Sequence, residues 1–289
     1  MISIILILLF VFSVLSVPVC HGVISGLYLY GMKIFPGLFI SFILTNILVR
    51  ILQQKNINNP WILVITGLMT GFPNGAYICS WYNKNNPENK LGDMLAGIIN
   101  IPSPAFLISY VYINILEKCI SLPVFLALTY IPVILCSYMV ILLFRDKDNK
   151  KNKASHIKND KKLIFHFFEE AVDSSINTAL KLGAYVIIFS VIVNIIMHFS
   201  QGNTVGLLIS YLFEISNGLA IIKNAGIPMN ITVLLTVLLD AFGGVCIIMQ
   251  TKSICSSYIS IKKYIYQKLV LCIVTLAMTY LLIYVLNIL

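Results

Sequence analysis

Residues 119–144 read CISLPVFLALTYIPVILCSYMVILLF, and residues 145–162 after them read RDKDNKKNKASHIKNDKK. The first stretch carries no charged side chain and exceeds the roughly 20 apolar residues an α-helix needs to cross a bilayer. The second holds eight Lys or Arg and three Asp, a net charge of +5 (8 − 3). A basic loop between hydrophobic segments stays on the cytoplasmic side during insertion, so 145–162 is expected inside. An apolar span joined to such a loop is the pattern of a polytopic membrane protein.

Further apolar runs lie at about 2–19, 29–51, 61–82, 93–116, 180–199, 204–222, 229–250 and 264–288, about nine hydrophobic segments in all. Of the 289 residues, 59% are hydrophobic and 11% charged, against roughly 45–50% and 25% in soluble domains. That composition excludes a soluble domain, a disordered chain, collagen and a coiled coil. The expected fold class is therefore an all-α polytopic membrane protein. The formal charge of +9 does not point to nucleic acid, because the basic loop has no aromatic residue to stack on bases. The bilayer is the expected partner. Seven cysteines form no CxxC and no Cys/His cluster, so no metal and no cofactor is expected.

The opening MISIILILLFVFSVLSVPVCHG (1–22) has the length of a signal peptide but no basic start and no small residue at a plausible cleavage point, which favours a retained helix. The expected organisation is an N-terminal transmembrane helix (1–28), a first repeat (29–144), the basic cytoplasmic loop (145–162) and a second repeat (163–289). The second repeat opens on LIFHFFEEAVDSSIN (163–177). Phe165, Phe168 and Val172 near helical spacing, with Glu169, Glu170 and Asp173 elsewhere, predict an interfacial amphipathic helix there.

Four runs are broken by turn-forming residues: Gly71-Phe72-Pro73-Asn74-Gly75, Asn100-Ile101-Pro102-Ser103-Pro104, Glu214-Ile215-Ser216-Asn217-Gly218 and Asp240-Ala241-Phe242-Gly243-Gly244. Irregular backbone at membrane depth is tolerated only against protein or a water-filled cavity. The breaks come in two ordered pairs. GMKIFPGLFISFILTNIL (31–48) aligns without gaps on ALKLGAYVIIFSVIVNII (179–196), matching Lys33 to Lys181 and Asn46 to Asn194; Asn74-Gly75 then matches Asn217-Gly218, and Ser103-Pro104 matches Gly243-Gly244. Two repeated halves, each with interrupted helices, point to a transporter with its site near the midplane.

Glu214 and Asp240 are the acids well inside apolar runs, where an ionisable group is a functional signal unless it pairs with Lys33, Lys181 or backbone donors. They are the candidates for a coupling ion or proton, Asp240 having no evident counterpart in the other half. Asn74 and Asn217 each precede a glycine, Gly75 and Gly218, and an amide there can donate and accept at once, although helix capping explains the same residues. Asn100, Ser103 and Gln250 complete the candidate substrate contacts. Lys33, Lys181 and Arg50 have long stems that snorkel to the interface. His21, His156, His166 and His198 stand in loops or near span ends and cluster with no nucleophile, so no enzyme is expected.

The motifs GFPNGA (71–76), NIPSPAF (100–106), EISNGL (214–219) and FGGVCIIMQTKSI (242–254), followed by Tyr264, resemble those of membrane proteins with a nucleoside-recognition or Gate domain, in particular the stage V sporulation integral membrane proteins. The resemblance runs over most of the chain, with differences at Cys246 and Ile248. It implies a fold like concentrative nucleoside carriers, with two inverted repeats and re-entrant hairpins, in the membrane around the forespore. It implies transport of a small heterocyclic anion, dipicolinic acid, during sporulation. A nucleoside-type heterocycle carrier and a non-transporting spore-assembly protein are the alternatives, and a homo-oligomer is left open. Glu214 beside a dianion would repel it, so that carboxyl is expected to hold a proton or a cation.

Overall fold

The computed structural model describes residues 14–55, 59–87, 89–144, 161–255 and 258–282, with a few single positions before them. Most of the basic loop, and nearly half of the run at 2–19, lie outside the described residues. Among the described residues every regular element is helical. Four helical stretches are long and apolar enough to cross a membrane: Leu91–Ile115, Leu122–Phe144, Phe168–Ser200 and Met229–Cys255; a bent pair, Ser16–Ile34 with Leu38–Ile51, makes up to five. The chain is an all-α protein with the helices of a multi-pass membrane protein.

Helix α1 (Ser16–Tyr28) passes through a wider π-helical turn (Leu29–Ile34) into α2 (Phe35–Lys55), with a 61° bend between the two limbs. Both limbs lie antiparallel on α8 (Lys161–Ser200). Gly22 and Gly26 of α1 let the backbones touch: a Cβ on Gly26 would stand 2.8 Å from the Ile187 Cα, and one on Gly22 2.5 Å from the Val191 Cα. Farther along, Phe42 of α2 packs on Ala179 and Leu182, and Arg50 pairs with Glu170. Residues 163–177 are therefore no separate surface helix. They continue without a break into the following run, and α2 covers part of their polar face.

The third apolar run divides into α3 (Pro60–Thr70) and α4 (Asn74–Asn85). Asn59 caps α3, its side chain accepting from the Trp61 N–H at 2.9 Å, and Pro60 sits in the first turn where no N–H is needed. The turn at Gly71-Phe72-Pro73 ends α3, and α4 then runs back. Gly67 lies against Ile99 and Gly71 against Ser103, so α3 follows α5 (Leu91–Ile99) upward; Gly75 under the Ile99 carbonyl and Gly92 against the Cys79 carbonyl show α4 descending along it. After α5 the chain is irregular to Ser103 and continues as α6 (Pro104–Phe106, extended by π-helical turns over Leu107–Ile115) and α7 (Leu122–Phe144).

Two further pairs of helices follow α8. Helices α9 (Thr204–Phe213) and α10 (Ile215–Asn224) meet at Glu214; α11 (Met229–Phe242) and α12 (Gly244–Cys255) meet at Gly243. Asn203 caps α9 by accepting from the Gly206 N–H at 2.9 Å. The Tyr211 hydroxyl donates to the Leu235 carbonyl at 2.8 Å, and Gly218 is pressed between the Tyr211 carbonyl and Leu239. Gly243 and Gly244 have φ of 83° and 84°, a left-handed geometry that side chains with a Cβ rarely adopt. Helix α13 (Ile261–Tyr280) closes the bundle; Lys262, Lys263, Gln267 and Lys268 in its first turns make it less apolar than the four spans. Asp93 anchors its start, accepting from the Ser260 N–H and the Lys263 ammonium, each at 2.7 Å.

Candidate functional site

Three of the four sequence breaks line one small cavity of about 40 Å³. Phe72 comes from the α3–α4 turn, Pro102 and Ser103 from the α5–α6 break with Phe106 just after it, and Glu214, Ile215 and Ser216 from the α9–α10 turn. The fourth break contributes no residue of its own, but Ile247 and Gln250 of α12, a few residues past it, complete that side. The remaining wall is Tyr30, Ile34 and Leu38 from the α1–α2 bend with Leu182 and Val186 of α8. The lining is mainly apolar, with Ser103, Glu214, Ser216, Gln250 and Tyr30 as its polar members. The space is far below the roughly 300–1,000 Å³ of a ligand pocket, so its walls must move apart to admit a small molecule.

Two helix N-termini face each other across this space, and each is capped by a buried wall residue. The Ser103 hydroxyl accepts from the Phe106 N–H at 3.3 Å, and a Glu214 carboxylate oxygen accepts from the Asn217 N–H at 2.7 Å. Glu214 is 2% exposed. Further hydrogen bonds from Ser216 and from the Asn217 side chain reach the same carboxyl group, so the α9–α10 turn closes around it. Gln250 is buried and its amide reaches the Cys246 sulfur at 3.2 Å. On the rim, the Tyr110 hydroxyl donates to the Ser216 carbonyl at 3.2 Å, tying the earlier helices to the later ones.

Asn74 and Asn217 stand at the starts of α4 and α10 and just behind the wall. Each amide donates to a hydroxyl on a long helix: Asn74 to Thr45 of α2 at 3.4 Å, Asn217 to Ser190 of α8 at 3.3 Å. Gly75 and Gly218 serve close packing of helix on helix, since a Cβ on either would meet a backbone carbonyl oxygen, at 2.8 Å and 2.6 Å. Asn100 is fully buried and holds several elements together. Its amide donates to the Tyr264 hydroxyl at 2.8 Å and the Thr251 hydroxyl at 3.2 Å, and its oxygen accepts from the Ala76 N–H at 3.3 Å.

Asp240 is fully buried, and neither carboxylate oxygen has a hydrogen-bond partner among the described residues. A buried ionised carboxylate without a partner costs several kcal/mol, on the order of the desolvation penalty of one ion.

The long helices show matching contacts. The Asn46 amide donates to the Phe42 carbonyl at 3.1 Å and to the Ser175 hydroxyl at 3.0 Å; the Asn194 amide donates to the Ser190 carbonyl at 2.9 Å and to the Ser25 hydroxyl at 3.3 Å. Each asparagine bonds one turn back on its own helix and one serine on the facing limb. Lys33 and Lys181 are exposed.

One buried group escapes a reading of the sequence. Lys268 is 0% exposed, and its ammonium donates to the Asn100 carbonyl at 2.5 Å and the Ala241 carbonyl at 2.9 Å. Among the described residues no three of His, Cys, Asp and Glu gather as a metal site. No family model, no curated protein and no solved structure matches the chain.

Proposed function

We propose that the protein is a membrane transporter of a small heterocyclic anion, dipicolinic acid in the sporulation reading that its motifs suggest. The observation that carries this is the convergence of three chain breaks, from both parts of the sequence, on one mostly apolar space within a bundle of membrane-length helices. Broken helices of a repeated architecture meet at the substrate in such carriers. In a state with the walls moved apart, Phe72 and Phe106 would supply apolar contact to a ring, and Ser103, Gln250 and Glu214 polar contacts at its edge. Asn74 and Asn217, one bond behind the wall, hold the two turns to the long helices and set the width of the cavity.

The finer architecture of this proposal is a pair of inverted halves, with α3–α4 and α9–α10 as re-entrant hairpins entering from opposite sides. The antiparallel course of α2 and α8 supports it, as do the reciprocal Asn46–Ser175 and Asn194–Ser25 contacts. Inversion requires an odd number of crossings between the matched helices, and counting α3–α4 as a hairpin supplies it.

Vesicles containing only this protein should take up labelled dipicolinate in a saturable way and against its gradient when a pH difference is imposed. Uptake no faster than in empty vesicles overturns the reading. Glu214 in the wall favours a second reading, a nucleoside-type heterocycle bound through neutral hydrogen bonds. A ligand that binds equally well after its carboxylates are removed selects that alternative.

A further inference from the structure

Asn100 and Ala241 stand at the C-terminal ends of α5 and α11, where a helix presents carbonyls without intrahelical partners and the negative end of its dipole. The Asn100 carbonyl lacks its helical donor because residue 104 is proline. The Ala241 carbonyl lacks the ordered continuation of its helix because Gly243 and Gly244 turn left-handed. Both oxygens point at one atom, the Nζ of Lys268, at 2.5 Å and 2.9 Å. The rings of Phe72 and Tyr264 stand around the same atom, with centroids 5.5 Å and 5.8 Å away. Among the described residues no carboxylate lies within ion-pair distance of it. Two converging carbonyls on two helix C-termini, with aromatic faces beside them, form a site for a monovalent cation.

We propose that this is a built cation site filled by the protein's own side chain: the Lys268 ammonium is a tethered cation that joins the broken ends of α5 and α11 and takes the place of a free coupling ion. Two consequences follow from the geometry. The breaks are held in place without sodium or potassium in the medium. With the ammonium removed, the same carbonyls accept a small free cation, sodium or a primary alkylammonium. Within the transporter proposed above, on which only this clause rests, coupling then falls to the acids Glu214 and Asp240 and not to sodium.

The test does not depend on transport. Purified protein in detergent is melted in sodium chloride, methylammonium chloride and choline chloride at equal ionic strength, choline being too bulky for the site. The native protein should melt at one temperature in all three. Lys268→Ala should melt lower in choline by about 5 °C or more and regain much of that loss, saturably, in sodium or methylammonium. A Lys268→Ala protein that melts alike in all three salts overturns the proposal. If the alanine variant does not survive extraction, Lys268→Gln decides: neutral but still a donor, it should melt well below the native protein, and a native-like melting point overturns the need for a cation. A native protein that shows no uptake, with the salt effect intact in the variant, counts against the transport reading and leaves the cation site standing.

Discussion

Glu214 combines two tasks on one side chain: it caps α10 through the Asn217 N–H, and it lines the cavity. Glutamine keeps an oxygen for the cap, so Glu214→Gln should fold and bind substrate but lose the stimulation of uptake by an imposed pH gradient. A Gln variant that remains fully gradient-driven defeats the proton-site assignment. Asn217→Ala should abolish uptake at near-normal membrane levels, because the amide makes a single side-chain bond to Ser190, worth about 1 kcal/mol; unchanged uptake returns the residue to a capping role. These residues are legible in the sequence because a polar group inside an apolar run is an anomaly with few explanations. Lys268 is not legible, because in the first turns of a run a lysine reads as snorkelling to the interface.

At the scale of elements, α1 and α8 touch through glycine. Gly22→Leu forces a side chain into the Val191 backbone, and overpacking of that kind costs about 1–3 kcal/mol, so its thermal midpoint should fall by several degrees. A midpoint equal to that of the native protein would show that α1 is not seated on α8. The positions of the apolar runs and their breaks are legible in the sequence; the caps at Asn59, Ser103 and Asn203 are seen only in the structure. A run of about 22 residues is long enough to span as one helix, so the division of 61–82 into α3 and α4, and of 204–222 into α9 and α10, is not apparent from its length. The charge of Glu169, Glu170 and Asp173 likewise suggests a surface helix, until Arg50 of α2 is found on Glu170. At the far end of the bundle the Lys223 ammonium, 2.8 Å from Glu117, holds that carboxyl below the usual carboxylate range. The pair gives support above the unfolded carboxylate range that is lost as acid protonates Glu117; it is open to solvent, so the effect on melting should be small.

For the whole molecule, the positive-inside rule fixes one end. Cysteines replacing Asn152 and Asn203 should be labelled from opposite sides, and modification of the Asn152 site by an impermeant reagent applied outside the cell would reverse the topology. The same orientation bears on α8. Its 40 residues, at about 1.5 Å each, make a rod of roughly 60 Å, twice the hydrocarbon thickness of roughly 30 Å. A lean of about 40°, the upper end of the observed range, still leaves it longer than that layer. The rod must therefore stand proud of the lipid, and the bilayer becomes a ruler laid against it. A fluorophore at Ile188, exposed on the outside of the bundle, should be quenched by lipid-borne agents, and one at Phe168, exposed twenty residues earlier, by agents in water. If the basic loop is cytoplasmic, as the labelling test would show, the beginning of α8 is a mast on that side, continuous with the wall of the cavity some turns below, so that a push on its free end would be felt at Leu182 and Val186.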